Sequence, residues 1–327
     1  MRIASTEWIA RYGLSSRAVC RKAQLEIAHQ DERVFSIEGD LAMPSVPFHL
    51  EIRERFLQAG IAEADLVGIA VGMSLRGKIP FANSFASFLT FRANEQVRLD
   101  VAYHKANVKL VGYYAGLSGG VAASTHHATE DLAALRAIPG LTIVAPADAV
   151  EAYKATWAAY LHQGPVYLRI ARAETPQVYF NNYDFVLGKA VRLREGSDLT
   201  LVATGNLMVA EAVRAAELLA KDGIRARVVN LHTIKPIDRE EIAAAAQETG
   251  ALVTVEDHQV FGGLGTAVAE VVMQAAPAPV ERVGIPDCFC HEVASHEEML
   301  TRYRMDADAI VAAAHRALAR KGAAVAA

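Results

Sequence analysis

The chain has 327 residues, of which 52% are hydrophobic and 21% are charged. It is long and apolar enough to bury a large core, which excludes a disordered or fibrous protein. The formal net charge is −4, and no run of lysine or arginine forms the basic stripe that nucleic-acid phosphates require. Nucleic acid is therefore not an expected partner.

The cysteines and the apolar runs indicate the compartment. Cys20, Cys288 and Cys290 are too few and too unevenly spaced for a disulfide framework, which favours a reducing environment. Residues 1–10 contain Trp8 but no apolar leader segment, and no later stretch is long and uncharged enough to span a membrane. We expect a cytoplasmic protein with no membrane partner.

In the first half, short apolar β-rich runs alternate with helical patterns, as is typical of strand-helix-strand units with parallel strands. Ser15 or Ser16 precedes a predicted helix at 19–28, and Asp148 precedes one at 150–161, where their side-chain oxygens can cap free amides. The predicted strands are residues 34–38, 79–83, 108–113, 142–145 and 166–170.

The apolar pattern breaks down between residues 173 and 188, which predicts a crossing segment between two domains. We expect domains at 1–175 and 189–327 with a linker at 176–188, each domain having a mainly parallel sheet flanked by helices. The fold class is therefore α/β. The second domain is predicted to contain strands at 199–203, 226–231 and 251–256, and helices at 207–222, 238–249, 264–274 and 306–321.

Collinear motifs over nearly the whole chain carry a family resemblance. They lie at residues 60–70, 77–82, 85–89, 95–98, 107–109, 115–118, 125–131, 146–148, 172, 256–258 and 262–265. Together they strongly resemble the pyrimidine-binding and C-terminal domains of transketolases, above all the corresponding subunit of the split, two-subunit members. The resemblance implies a thiamine diphosphate-dependent transferase of aldehyde or ketone residues, active only with a partner subunit.

Two residues carry the implied catalysis. The resemblance places Glu63 beside the aminopyrimidine ring of thiamine diphosphate, where a carboxyl shares a proton with the ring and so helps to remove the thiazolium C2 proton. Periodicity alone also explains Glu63 as an acid favoured at a helix start. His126 matches the family histidine near the reacting carbons, which donates to a developing oxyanion or shuttles a proton.

An aromatic series is the expected cofactor pocket. Phe85, Phe88 and Phe91 are spaced by three, so on a helix they would form one face able to stack on a flat heterocycle, although such a stripe is also typical of a plain core. Phe85 and Phe88 match the family's pocket aromatics, whereas Phe91 fits only if one residue is inserted relative to single-chain transketolases. Asp40 matches an acid near the cofactor entrance.

The expected substrate end departs from the family pattern. Arg172 corresponds to the arginine that binds the substrate's terminal phosphate, and is otherwise an ordinary surface arginine after a strand. Tyr114 replaces a phosphate-contacting histidine, and Ala122 replaces the aspartate that recognises a substrate hydroxyl. We expect ketol or acyl transfer from a ketose or 2-oxo donor to an aldehyde acceptor, with the substrate pair left open.

No metal ligand is assigned to this chain. The family's Gly-Asp-Gly segment with a distant asparagine, which holds Mg²⁺ and the diphosphate, is missing. The Mg²⁺ ligands are therefore expected on an N-terminal partner subunit, in an α2β2 assembly. Residues 126–131 and 288–291 also suggest metal sites, but neither set closes one coordination sphere.

Three other functions compete. The same two-domain plan occurs in the β chain of the decarboxylating component of 2-oxo acid or acetoin dehydrogenases. A non-catalytic regulatory subunit of this fold is the second. A nucleotide-binding protein is the third, although residues 262–265 lack the acidic ribose partner of a dinucleotide site.

Overall fold

Six strands form in the first half, five of them from its apolar runs, in a computed structural model that describes residues 15–41, 47–172, 174–180 and 183–326. Residues 1–14, including Trp8, and residues 181–182 of the expected linker lie outside this part. The strands are β1 (Val34–Glu38), β2 (Phe56–Gln58), β3 (Ile79–Phe85), β4 (Lys109–Tyr113), β5 (Thr142–Val144) and β6 (Val166–Ile170).

The helices between these strands begin largely where the sequence predicts. Ser15 Oγ accepts from the Ala18 amide at 3.3 Å, and Asp148 Oδ1 accepts from the Glu151 amide at 2.8 Å, so both predicted caps are confirmed. The helices are α1 (Ser16–Gln30), α2 (Pro47–Glu51), α3 (Glu63–Leu75), α4 (Ala86–Phe91), α5 (Asp131–Arg136) and α6 (Ala149–Leu161), with a π-helix at Gln96–Tyr103 and 3-10 turns at Arg53–Arg55 and Leu117–Ala122.

The second half repeats the strand-helix alternation. Its strands are β7 (Val191–Arg194), β8 (Leu199–Thr204), β9 (Ala226–Asn230), β10 (Thr233–Lys235), β11 (Leu252–Gln259) and β12 (Val280–Ile285). Its helices are α7 (Met208–Lys221), α8 (Arg239–Thr249), α9 (Leu264–Ala275), α10 (His296–Arg302) and α11 (Ala307–Ala326). In the described residues, no helix is both long and apolar enough to cross a bilayer.

Two mainly parallel sheets result. Among the described strands, the first sheet has the order β10-β5-β6-β4-β3-β1-β2 and the second β12-β11-β8-β9-β7. Of the strands in the described residues, only β10 and β7 run antiparallel to their neighbours. Every residue of β4, β6, β8 and β9 is buried, as expected for parallel strands covered on both faces. The predicted α/β class is confirmed.

Strand β10 connects the two halves. It follows β9 of the second sheet in the chain, yet it pairs with β5 at the edge of the first sheet, with Thr233 opposite Val144 and Lys235 opposite Ile143. The range expected for the second domain, 189–327, therefore contributes one strand to the sheet of the first.

A buried polar junction also joins the halves. The Asp257 carboxylate accepts from the Leu117 amide at 2.9 and 3.1 Å and lies 2.7 Å from His296 Nε2. Arg169 donates to the Asp257 carbonyl at 2.9 Å while it pairs with the buried Asp131 at 2.8 Å. These bonds satisfy groups that would otherwise be costly to bury, so the segment around Asp257 is structural.

Candidate active site

The carboxyl ends of the first sheet's parallel strands bring together residues that are distant in sequence. Glu63 lies just beyond β2, Phe85 ends β3, Tyr114 follows β4, and Arg172 lies two residues beyond β6. Because these strands are parallel, their carboxyl ends share one edge of the sheet. Ligand sites in open α/β sheets form along such an edge.

Glu63 is the first residue of α3 and is 2% exposed. Its Oε1 accepts from Ser84 Oγ at 3.0 Å, and its Oε2 lies 3.2 Å from Nη1 of Arg92. Gly39, in the loop after β1, packs against this pair, because a Cβ there would lie 2.8 Å from Ser84 Oγ. One carboxylate oxygen is thus held by the protein, and the other faces a cationic side chain.

Four rings form a packed cluster beside Glu63. The Phe85 centroid lies 5.3 Å from Phe88, 4.8 Å from His126 and 4.7 Å from Tyr114, each in an edge-to-face arrangement. Phe88 and His126 are 5.0 Å apart. These are the spacings of favourable aromatic pairs, so the cluster is a stable wall against which a flat ring can pack.

His126 is held within this wall by its neighbours. Its Nδ1 lies 2.9 Å from Thr125 Oγ1. Partial burial lowers the pKa of the imidazole below its ordinary value, because the charged form is poorly solvated there. His126 is therefore neutral near pH 7, and one ring nitrogen is able to accept a proton.

The prediction that Phe85, Phe88 and Phe91 share one helical face is wrong. Phe85 ends strand β3, because extended backbone continues past residue 83, and only Phe88 and Phe91 lie on α4. Phe91 is 53% exposed and lines a cavity of about 510 Å³ with Phe88, Phe289 and other residues. It lies next to the ring cluster rather than within it.

Asp40 lies on the same edge of the sheet but outside the packed cluster. Its side chain is exposed, its φ is 59°, and its backbone amide donates to Gln58 Oε1 at 2.8 Å. The structure therefore places Asp40 at the rim of the site.

Two arginines flank Tyr114 at the other end of the cluster. The Arg172 guanidinium carbon lies 5.2 Å from the Tyr114 ring centroid, and that of Arg17 lies 5.8 Å away. Arg17 Nη1 also lies 3.5 Å from the Tyr114 hydroxyl. The bridge between Ser15 and Glu174 brings the start of α1 to this place. A pair of guanidinium groups on one phenol is suited to bind a terminal anion.

The sequence interpretation missed Arg17 and Arg92. Arg17 lies in the first turn of α1, where the helix dipole disfavours a cation. A residue that is locally unfavourable often has a functional role, so this position could have been recognised from the sequence. Arg92 follows Phe88 by four residues, a spacing at which a cation reaches the ring on a helix, and its guanidinium carbon lies 3.7 Å from the Phe88 centroid.

The alternative metal sites do not assemble from the predicted residues. Residues 126–131 do not form one helix, since α5 begins only at Asp131, and Asp131 pairs with Arg169 instead. Cys20 and Cys290 are buried, Cys288 is half-buried, and all three are free thiols.

Comparison with known proteins identifies the family. Residues 13–177 match the family described as "Transketolase, pyrimidine binding domain", and residues 188–310 match "Transketolase, C-terminal domain". The chain is 43% identical over 299 residues to the 6-deoxy-6-sulfo-D-fructose transketolase subunit SqwH of Clostridium sp. (strain MSTE9), covering 91% of this chain and 92% of that protein. It is 42% identical over 299 residues to one of the apulose-4-phosphate transketolase subunits of Phocaeicola vulgatus, covering 89% and 95%.

Solved structures agree with these matches. A structure described as a split gene transketolase, inactive beta4 tetramer, superposes with a TM-score of 0.86 at 39% identity, covering 94% of this chain and 99% of that one. Transketolase from Leishmania mexicana has the same fold, with a TM-score of 0.76 at 23% identity, and this chain covers 46% of its length. The chain thus belongs to the transketolase family, and it matches subunits of its split members over nearly their whole length.

Proposed function

We propose that this chain is the pyrimidine-binding subunit of a two-subunit thiamine diphosphate-dependent transketolase, and that Glu63 is its cofactor-activating acid. The observation that carries the proposal is the Glu63 carboxylate, fixed through Oε1 by Ser84 beside the wall of four rings, Phe85, Phe88, His126 and Tyr114. Relatives named as transketolase subunits favour this activity over a 2-oxo acid or acetoin dehydrogenase and over a regulatory subunit.

The residues at the site fit an aminopyrimidine ring. Such a ring needs an apolar face to stack on and an acid at its edge, and Phe85 with Phe88 and Glu63 supply these. Glu63 Oε2 is the atom left to share a proton, because Oε1 already accepts from Ser84. The bound cofactor supplies the carbanion chemistry at its thiazolium C2 atom.

Residues of this chain carry out the proton transfers and shape the site. Glu63 shares a proton with the ring edge at Oε2. Neutral His126 takes or gives a proton at the substrate's oxygen atoms. The ring wall supplies the apolar surface beside the reacting atoms, with Phe91 and Asp40 at the rim of the site.

The diphosphate and its Mg²⁺ are assigned to a partner subunit. The sequence has no Gly-Asp-Gly segment with a distant asparagine, and the diphosphate needs a cation or an amide cradle to bind well. We place those ligands on an N-terminal transketolase subunit, in an α2β2 complex. The similar solved structure is described as an inactive beta4 tetramer. That description is consistent with an active site that is incomplete in that protein's beta chain alone.

The substrate carries a terminal anion in this proposal. Arg172 and Arg17, both near the Tyr114 ring, supply two charged forks for a phosphate or sulfonate group. The names of two relatives, which specify a sulfonated sugar and a sugar phosphate, point the same way. Three free thiols favour a reducing compartment, so we place the enzyme in the cytoplasm.

The test is reconstitution. The chain is co-expressed with an N-terminal, diphosphate-binding transketolase subunit and is supplied with thiamine diphosphate and Mg²⁺. Ketose phosphates and sulfonated ketoses are then screened as donors with aldehyde acceptors. C2 proton exchange of the bound cofactor must exceed exchange in solution, and the chain alone must be inactive. Exchange no faster than in solution would favour the regulatory subunit instead.

A further inference from the structure

Arg92 makes two contacts that a bound aminopyrimidine ring would also need. Its guanidinium carbon lies 3.7 Å from the centroid of Phe88, which puts the flat cation on the ring. Its Nη1 lies 3.2 Å from Glu63 Oε2, the carboxylate oxygen that Ser84 leaves free.

The guanidinium group resembles that ring in the features that matter for binding. It is planar, it stacks on aromatic faces, and it presents N–H donors in its own plane. In this structure it satisfies Glu63 and covers Phe88 at the same time. A heterocycle that stacks on Phe88 and shares a proton with Oε2 therefore competes with Arg92 for the same place.

The Arg92 side chain also has space into which it can move. Its side chain is 49% exposed at the end of α4, whereas that of Glu63 is only 1% exposed. The cavity of about 510 Å³ beside it is lined by Arg92 itself, Phe91 and Phe289. A half-exposed arginine moves into such a space at small cost, because solvent and the Phe91 ring replace the contacts that it loses.

We propose that Arg92 is a placeholder for the aminopyrimidine ring: it pairs with Glu63 in the uncombined chain and is displaced when the cofactor binds. The inference rests on the proposed function and adds a regulatory step to it. The placeholder stabilises a buried carboxylate before assembly, and it weakens cofactor binding, so that the partner's contacts with the diphosphate are needed for the cofactor to displace it.

The experiment compares variants in the reconstituted complex by calorimetric titration with thiamine diphosphate and Mg²⁺. R92A is expected to lower the cofactor Kd by about three- to thirtyfold, the combined range of a half-exposed ion pair and a cation–π contact. R92K keeps the charge but not the flat group, so its Kd is expected between those of R92A and the wild type. C2 exchange at saturating cofactor is expected not to fall in R92A.

The matched control is R98A, which removes an exposed pair of the same type between Arg98 and Glu95, away from the rings. Its cofactor Kd is expected to equal that of the wild type. A Kd for R92A that is unchanged or higher overturns the placeholder, as does slower exchange at saturation. If the wild-type complex binds no cofactor, the proposed function fails as well, so the two failures are distinguishable.

Discussion

Ser84 donates its hydroxyl to Oε1 of Glu63 at 3.0 Å, which ties the end of strand β3 to the first turn of helix α3. Together with the Arg92 contact at Oε2, this hydrogen bond fixes the orientation of the Glu63 carboxylate. Ser84 acts on chemistry only through Glu63 and is a positioning residue.

Replacing Ser84 with alanine is expected to slow C2 exchange in the complex by about tenfold, because the freed carboxylate loses its orientation. The measurement is exchange at saturating cofactor, alone and combined with E63Q. If Ser84 works through Glu63, S84A adds little in the E63Q background. Full additivity of the two losses would assign Ser84 a separate role.

The Glu63→Gln variant is expected to lose at least about 100-fold in turnover, the usual contribution of a positioned acid or base. Assembly with the partner should persist, since the amide keeps the size of the side chain. Asp65→Asn is the matched control, because Asp65 is an exposed acid in the same first turn of α3. Normal turnover in E63Q would refute the assignment.

A pH profile tests His126. Burial holds the pKa of His126 below its ordinary 6.5, so the neutral form required for proton acceptance persists to mildly acidic pH. Activity should therefore fall only as the pH drops through that lowered pKa. H126N is expected to lower kcat by about 100-fold and to remove this acid limb. An unchanged limb in H126N would assign it to another group.

The two arginines beside Tyr114 predict a split between kinetic constants. R172M and R17M should each raise the KM for an anion-terminated substrate by about ten- to a hundredfold, because one charge-assisted contact is lost. Turnover of a neutral short-chain analogue should change little in either variant. Equal losses for charged and neutral substrates would show that the arginines support the fold instead.

His232 predicts how stability depends on pH. It is fully buried, stacks on Phe185 at 4.1 Å, and burial lowers its pKa to about 3. Below pH 6.5 the unfolded chain takes up a proton that the folded chain refuses, so folding stability falls as the pH drops from 6.5 toward 3. At pH 5 this group alone costs about 2 kcal/mol.

The check is the difference in unfolding free energy between wild type and H232F at pH 7.5 and pH 5. Phenylalanine keeps the stacking ring and removes the titration, so the variant should lose less stability on acidification. Parallel losses in both proteins would contradict the assignment.

Local patterns predicted much of this fold. The strand at 34–38 and the one at 166–170 agree in both bounds, since each is a mainly apolar run whose residues are all buried except the half-buried Phe35. Ser15 and Asp148 mark their helices because capping is a local interaction.

Strands β2, β7, β10 and β12 were not predicted, because their residues do not form apolar runs. Strands β2 and β10 span three residues each, β7 has the sequence Val-Arg-Leu-Arg, and β12 has the sequence Val-Glu-Arg-Val-Gly-Ile with a mixed burial pattern. The pairing partner, rather than composition, makes such segments strands.

The candidate site was predictable only at residues that lie in segments matching the family's sequence motifs. Glu63 and the rings of Phe85 and Phe88 stand in matched segments. Arg17 meets Tyr114 across 97 positions of sequence, a contact that no periodicity reveals. The spacing of the phenylalanines predicted a helix at Phe85, because phenylalanine occurs in both helices and strands. The structure extends β3 to residue 85 and so places Phe85 in a strand.

The exchange of β10 between sheets has a consequence for cutting the chain. A fragment that stops in the segment near residue 188 would leave β5 without its antiparallel neighbour and turn it into a bare edge. Open edges of this kind recruit foreign strands and promote aggregation. The two halves are therefore best expressed as one chain. A split of the gene that leaves both sheets intact should lie before the first half.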